Sequence, residues 1–304
     1  MLLFTIVYDG EKEDIIESIK HMVDCLKSKK NDIGISESLN NNTHFVKIYC
    51  SDINCSEKFI NSFNINMANV LYNIAVNEFS KEDITDFLCD TYFFIRHDEL
   101  NEIKELCLRA LRTDDPIIDE NSVYYMNRKN SAIEKIVECI KDNREINIKG
   151  FITFRMKEIR DELESIIDRV VEKYMVDKEY NEFIKLLKYF VDIAECKIDE
   201  VHIVIDRDNN YTVFNKYGED IMDSFLNDLG DSKFSGTINT DDMIISGLIT
   251  NAPNKIVIYG VQNCINKELI DTIKKVFSER VEFCSTCKFH AQKNERAGEQ
   301  KNKR

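Results

Sequence analysis

Two cysteines three residues apart, with a histidine three residues further on, form the only spacing in the chain that points to chemistry: Cys284-Ser-Thr-Cys287 and His290. Two thiolates at that separation can supply half of a tetrahedral zinc site, with the imidazole as a third ligand. A fourth would have to come from elsewhere, from Cys264, Cys50 or a second subunit. The same pair at a strand end could instead cycle between dithiol and disulfide. Thioredoxin-like folds, however, place a long helix after such a pair, and the order of elements here does not match. Two incidental thiols at the end of a strand are the third reading. The residues alone leave all three open, so no cofactor is expected, with zinc as the one alternative.

Other constellations fall short of a site. Asp206-Arg-Asp208-Asn-Asn210 begins like a calcium loop, but Tyr211 stands where the turn glycine is required and Tyr217 where the closing glutamate is required. A hairpin turn accounts for it better. No glycine-rich phosphate cradle, nucleophile elbow or zinc-protease helix occurs, and nine glycines in 304 residues leave little material for one. His21, His44, His97 and His202 have no metal spacing. His202 falls in an alternating strand, where a partly buried, hydrogen-bonded role is the default. Arg155, between Phe154 and Met156 at the apolar start of a helix, is the interaction candidate. An arginine there either meets a carboxylate or carbonyls in a buried or interface setting, or packs its stem and extends its head to water.

Composition narrows the function classes further. A net charge of −14 opposes general nucleic-acid binding, which needs a surplus of lysine and arginine. The exception is the basic tail after Cys287, read as solvated and disordered. A hydrophobic fraction of 43% is enough for a real core. No apolar run approaches the roughly 20 residues of a membrane span. Leu2 to Val7 is too short for a signal-peptide core and lacks a basic leader, so the chain is expected to stay in the cytoplasm, with its ten cysteines reduced.

The elements that would position these residues follow from hydrophobic period. A strand (2–8), an amphipathic helix (14–27) and two short strands (34–39 and 44–50) open the chain. Helical period then dominates from 56 to 139, with Ser80 and Asp83 marking a helix start inside it. The longest uninterrupted pattern, Gly150 to Cys196, predicts two helices joined near Val176 to Lys178, as a hairpin or one long kinked rod. Tyr180, Phe183, Ile184, Leu187, Phe190, Val191 and Ala194 form the inward stripe of the second. After Cys196 come a hairpin (201–206 with 211–214), helices over 219–229 and 240–250, and a β-α-β unit of 255–259, 267–277 and 280–284. The fold class is α+β, a predominantly helical middle with a small sheet at each end. The expected segments are 1–55, 56–196, 197–287 and a basic tail, 288–304.

Spaced residues in this pattern resemble a known family. Gly150-Phe151 with Phe154-Arg155, Lys178-Glu179-Tyr180 with Phe183, and Leu187 with Tyr189-Phe190-Val191-Asp192 look like the YtxC-like family of sporulation proteins. Val201-His202, Ala252-Pro253 and Arg280-Val281 leading to Cys284-x-x-Cys287 agree with it, so the similarity covers roughly 60 to 287. The resemblance implies a process, sporulation in endospore-forming bacteria, and no reaction; it assigns no catalytic or binding residues. The expectation is a cytoplasmic protein-interaction factor with an unknown protein partner and room for a homo-oligomer. The alternative is a metal-binding or redox protein working through Cys284 and Cys287. Nucleic-acid binding by the basic tail is a weaker third.

Overall fold

The alternating LLFTIVY segment forms strand β1 (Leu2–Asp9), followed by helix α1 (Glu13–Lys27) and strands β2 (Ile33–Asn40) and β3 (Thr43–Cys50). These elements belong to a computed structural model that describes residues 1–10, 13–27, 32–51, 55–112, 118–227 and 240–284. The β2–β3 hairpin turns on Asn41, whose φ of 54° suits an asparagine better than most side chains. β3 pairs antiparallel with both β1 and β2, so β1 and β2 run the same way with β3 between them. On the other side of β1 lies β4 (Glu145–Asn147), which pairs with it in parallel and completes the order β2-β3-β1-β4. Three residues are too few to show a strand period, so this strand has no sequence signal.

Helix α2 (Glu57–Thr91) starts where Ser56 accepts a hydrogen bond from the Phe59 amide at 3.2 Å. It does not restart at Ser80. That hydroxyl bonds back to the Asn77 carbonyl at 2.7 Å, so a cap-type residue is satisfied inside the helix. Helices α3 (His97–Leu111) and α4 (Ser122–Asp142) pack beside it. The carboxyl end of α3 receives two side chains: the Tyr72 hydroxyl donates to the Leu111 carbonyl at 2.9 Å, and the buried Lys129 ammonium to the Arg112 carbonyl at 2.5 Å. A cation there opposes the partial negative charge of the helix end.

Helix α5 (Ile148–Ile193) is continuous, so the hairpin alternative near Val176 is not realised. With neither glycine nor proline between Gly150 and Cys196, nothing in the backbone breaks it. The chain divides into two compact units at Val176/Asp177, within this helix. The first part of α5 contributes Ile159, Leu163, Ile166 and Val170 to the core of unit 1, which also contains Phe4, Ile6, Met67 and Ile136. One core therefore serves the first sheet and the helices that follow it.

In unit 2 the end of α5 is followed by β5 (Glu200–Ile205), β6 (Tyr211–Asn215), α6 (Met222–Asn227), α7 (Thr240–Asn251), β7 (Lys255–Tyr259), α8 (Lys267–Phe277) and β8 (Val281–Cys284). The sheet order is β6-β5-β7-β8, with β5, β7 and β8 mutually parallel and β6 antiparallel to β5. Ile184, Leu187 and Val191 of α5 share its main core with Val201, Ile203, Ile256, Ile258 and Ile273. The architecture is α+β, helical in the middle with a four-stranded sheet towards each end. A close approach of α6 and α7 depends on one missing side chain. A Cβ on Gly247 would lie 2.4 Å from a ring carbon of the fully buried Phe225. Gly247→Ala is expected to destabilise unit 2 by about 2 kcal/mol through overpacking, read as a lowered urea midpoint.

Candidate functional site

Among the described residues two loops, after β5 and after β7, meet the carboxyl ends of the parallel strands of unit 2, the edge where open α/β sheets commonly bind ligands. After β5, Asp206 accepts hydrogen bonds from the Asp208 and Asn210 amides, both at 2.9 Å, which closes the hairpin turn to β6. The calcium-like start of this segment is thus a turn whose aspartate is occupied by backbone. Asn209, with φ 61°, accepts from the Ile265 amide at 3.0 Å and ties this turn to the loop after β7. In that loop Gly260 adopts φ +73°, and the Asn263 side-chain amide donates to the Ile205 carbonyl at 3.0 Å.

Cys284 ends β8, opposite Tyr259 of β7, and is half-buried. Cys287 and His290 lie outside the described residues, so the expected ligand set is placed only at its first member. Both fourth ligands proposed within the chain bond a carbonyl in this structure. The Cys264 thiol is buried, donates to the Asn266 carbonyl at 3.1 Å and sits 3.6 Å from the Tyr211 hydroxyl. Cys50 belongs to unit 1 and donates to the Ser51 carbonyl at 3.2 Å. Burial, with Cys55 beside it, pushes its thiol up to about 11. Among the described residues no three His, Cys, Asp or Glu side chains gather to hold a metal ion.

His202 stands on β5 next to Tyr259, its Nδ1 3.1 Å from the phenol oxygen and its Nε2 3.5 Å from a Glu200 carboxylate oxygen. Burial lowers its pKa despite the pull of Glu200, which keeps the imidazole neutral at pH 7. In unit 1, a cleft of about 440 Å³ between α1 and α2 is lined by Glu17, His21, Cys25, Asn66, Asn69 and Asn73. The Cys25 sulfur lies 4.0 Å from His21 Nδ1 there.

Arg155 is on the solvent side of α5, where its guanidinium meets Glu158 one turn on at 2.5 Å. Its flanking Phe154 also faces outwards, 74% exposed, so the charge sits on the polar side of the stripe and not inside it.

The larger finding is further along the same helix. Phe183, Leu186, Phe190 and Ile193, spaced 3-4-3, are 53%, 51%, 46% and 61% exposed, and Tyr189 beside them 60%. Phe183 and Phe190 belong by spacing to the expected inward stripe, yet of it Ile184, Leu187 and Val191 are buried in the core and Tyr180 packs half-buried against it, while Ala194 is exposed. The helix is apolar on two sides, and one side is bare. The signal is present in the sequence, because Leu186 and Ile193 extend Phe183 and Phe190 into a second 3-4-3 series. A smaller patch, Phe93 and Phe94, caps the α2–α3 corner.

These features define an α+β protein with one helix shared between two units, an apolar face on that helix and no gathered metal ligands among the described residues. The chain belongs to the YtxC-like family, whose model matches residues 65–282. It is 26% identical over 204 residues to the uncharacterized protein YtxC of Bacillus subtilis (strain 168), an alignment spanning 66% of this chain and 70% of that one. No solved structure matches. Among the described residues no helix is long and apolar enough to cross a membrane.

Proposed function

We propose that this is a sporulation-associated protein of the cytoplasm that works through protein–protein contact and catalyses no reaction of its own. The observation that carries the contact reading is the bare apolar side of α5. A solvated helix ordinarily keeps polar residues on its outer face, and large exposed apolar patches mark association sites. The process comes from the family resemblance, and the acidic charge together with the lack of catalytic motifs supports a role without chemistry.

The test is genetic complementation. Deleting the gene is expected to lower heat-resistant spore counts at least about tenfold. The wild-type gene should restore them, and a Leu186→Glu/Phe190→Glu variant should not, although its protein accumulates and melts normally. Full restoration by that variant would remove the α5 face from the function, and normal spore counts in the deletion would remove the process.

A further inference from the structure

We infer that the bare side of α5 docks the same face of a second copy of this chain, as an antiparallel helix pair about a two-fold axis. The inference rests on the contact reading above and names the partner.

The spacing comes first. Side chains at 3-4-3 intervals form the seam of paired helices, where knobs of one helix enter holes of another with the same repeat. Among the described residues no other helix exposes four large apolar side chains. The matching surface is therefore the stripe itself, and every second molecule supplies it, which is the condition for an isologous contact.

Charge agrees with self-docking. The whole chain carries −14, but from Asp177 to Asp192 there are three lysines (178, 185, 188) against four carboxylates (177, 179, 182, 192), a local balance of −1. Two copies meet there with little repulsion, whereas a nucleic acid or anionic lipid surface finds no basic rim.

The direction follows from what each arrangement places opposite what. In parallel, residue faces its own equivalent, so Phe183 meets Phe183 and, one layer out, Glu179 meets Glu179. Antiparallel pairing centred on Lys188 opposes Phe183 to Ile193 and Leu186 to Phe190, twice each by symmetry. All four layers are then apolar, and Glu179 falls beyond the end of the facing helix at Ile193 instead of meeting its own equivalent.

Area sets the strength. Five half-exposed side chains, three of them aromatic, offer on the order of 500 Å² per copy, against about 800 Å² per partner in a standard interface. The polar rim of Glu182 and Lys185 must contribute the rest. The expected complex is reversible, with a dissociation constant on the order of 1 μM.

Sedimentation velocity of the full chain over a wide concentration range tests this. The wild-type protein is expected to pass from the 35.6 kDa monomer to a dimer as concentration rises. Leu186→Glu alone and Phe190→Lys alone should remain monomeric with unchanged thermal melting. An equimolar mixture of the two should recover a mixed dimer, because the antiparallel register sets residue 186 of one copy against residue 190 of the other. Wild-type protein that stays monomeric throughout overturns the inference, as does a dimer that persists in Leu186→Glu. A mixture that stays monomeric overturns the antiparallel arrangement. If the wild type is monomeric while Leu186→Glu/Phe190→Glu still fails in the spore assay, self-docking falls and the contact reading stands.

Discussion

Gly260→Ala is expected to cost unit 2 about 3 kcal/mol or more and to shift its urea transition well below that of the wild type. Two separate penalties act at this position. The residue holds φ +73°, a left-handed conformation that costs an L side chain about 1–2 kcal/mol. In addition, a Cβ there would lie 2.2 Å from the carbonyl oxygen of Ile205. That atom is backbone at the end of β5, a strand paired on both sides, and cannot swing away as a side chain would. It also accepts from Asn263, so any retreat loosens the loop that closes this edge of the sheet. Gly10 separates the two penalties. It has φ +77°, but a Cβ there would meet nothing nearer than Asn42 Nδ2 at 4.0 Å. Gly10→Ala should therefore cost about 1–2 kcal/mol, the conformational part alone. The chain has no tryptophan, so far-UV circular dichroism with tyrosine emission is the appropriate readout. Equal costs for the two variants would show that the Ile205 carbonyl does not approach as described.

Much of this architecture is legible from period alone. The strand Lys255–Tyr259 and the helix Lys267–Phe277 coincide with their hydrophobic patterns, because both are bounded by unambiguous neighbours such as Pro253 and the Asn266 cap. What escapes has physical causes. β4 owes its place to pairing with β1, a contact more than a hundred residues away in sequence. The apparent helix start at Ser80 is overridden by packing of Phe79 and Ile84 into one continuous helix. The α5 stripe is ambiguous by spacing because two apolar series, one turned to the core and one to solvent, look alike until a core takes one of them. At the candidate sites, hydrophobic period places Cys284 at the end of a strand, where β8 has it, and Arg155 at the start of the long helix, where α5 has it. It cannot show that Arg155 finds Glu158 within its own helix, since that depends on which side of the helix faces water.

Glu162→Gln should cost unit 1 about 2 kcal/mol at pH 7, and the difference from the wild type should vanish in acid. Glu162 is the one carboxylate of α5 set into the packing with α4, 8% exposed. Its oxygens accept from Arg128 at 3.2 Å, Ser131 at 2.8 Å and Lys135 at 2.9 Å, all on α4. Burial by itself would raise its pKa. The hydrogen bonds from Lys135, Ser131 and Arg128 together outweigh that and hold the carboxyl below its ordinary value. A glutamine keeps the shape but surrenders the charge that two cations share, and hydrogen bonds to charged groups contribute about 1.5–3 kcal/mol each. The loss falls below what breaking a fully buried pair costs, about 3–5 kcal/mol. Arg128 and Lys135 are 43% and 37% exposed, so they can turn to water. The sign of the pH dependence follows. A carboxyl whose folded pKa is depressed contributes fully above its unfolded value of about 4.3 and loses that contribution as pH falls through the lower, folded value. Stability curves of wild type and Glu162→Gln should run parallel from pH 8 to about 5 and converge below about 4. A constant gap down to the lowest pH at which the chain folds would mean that the glutamate acts through shape, and that the charges α4 directs at it add nothing to holding the two helices together.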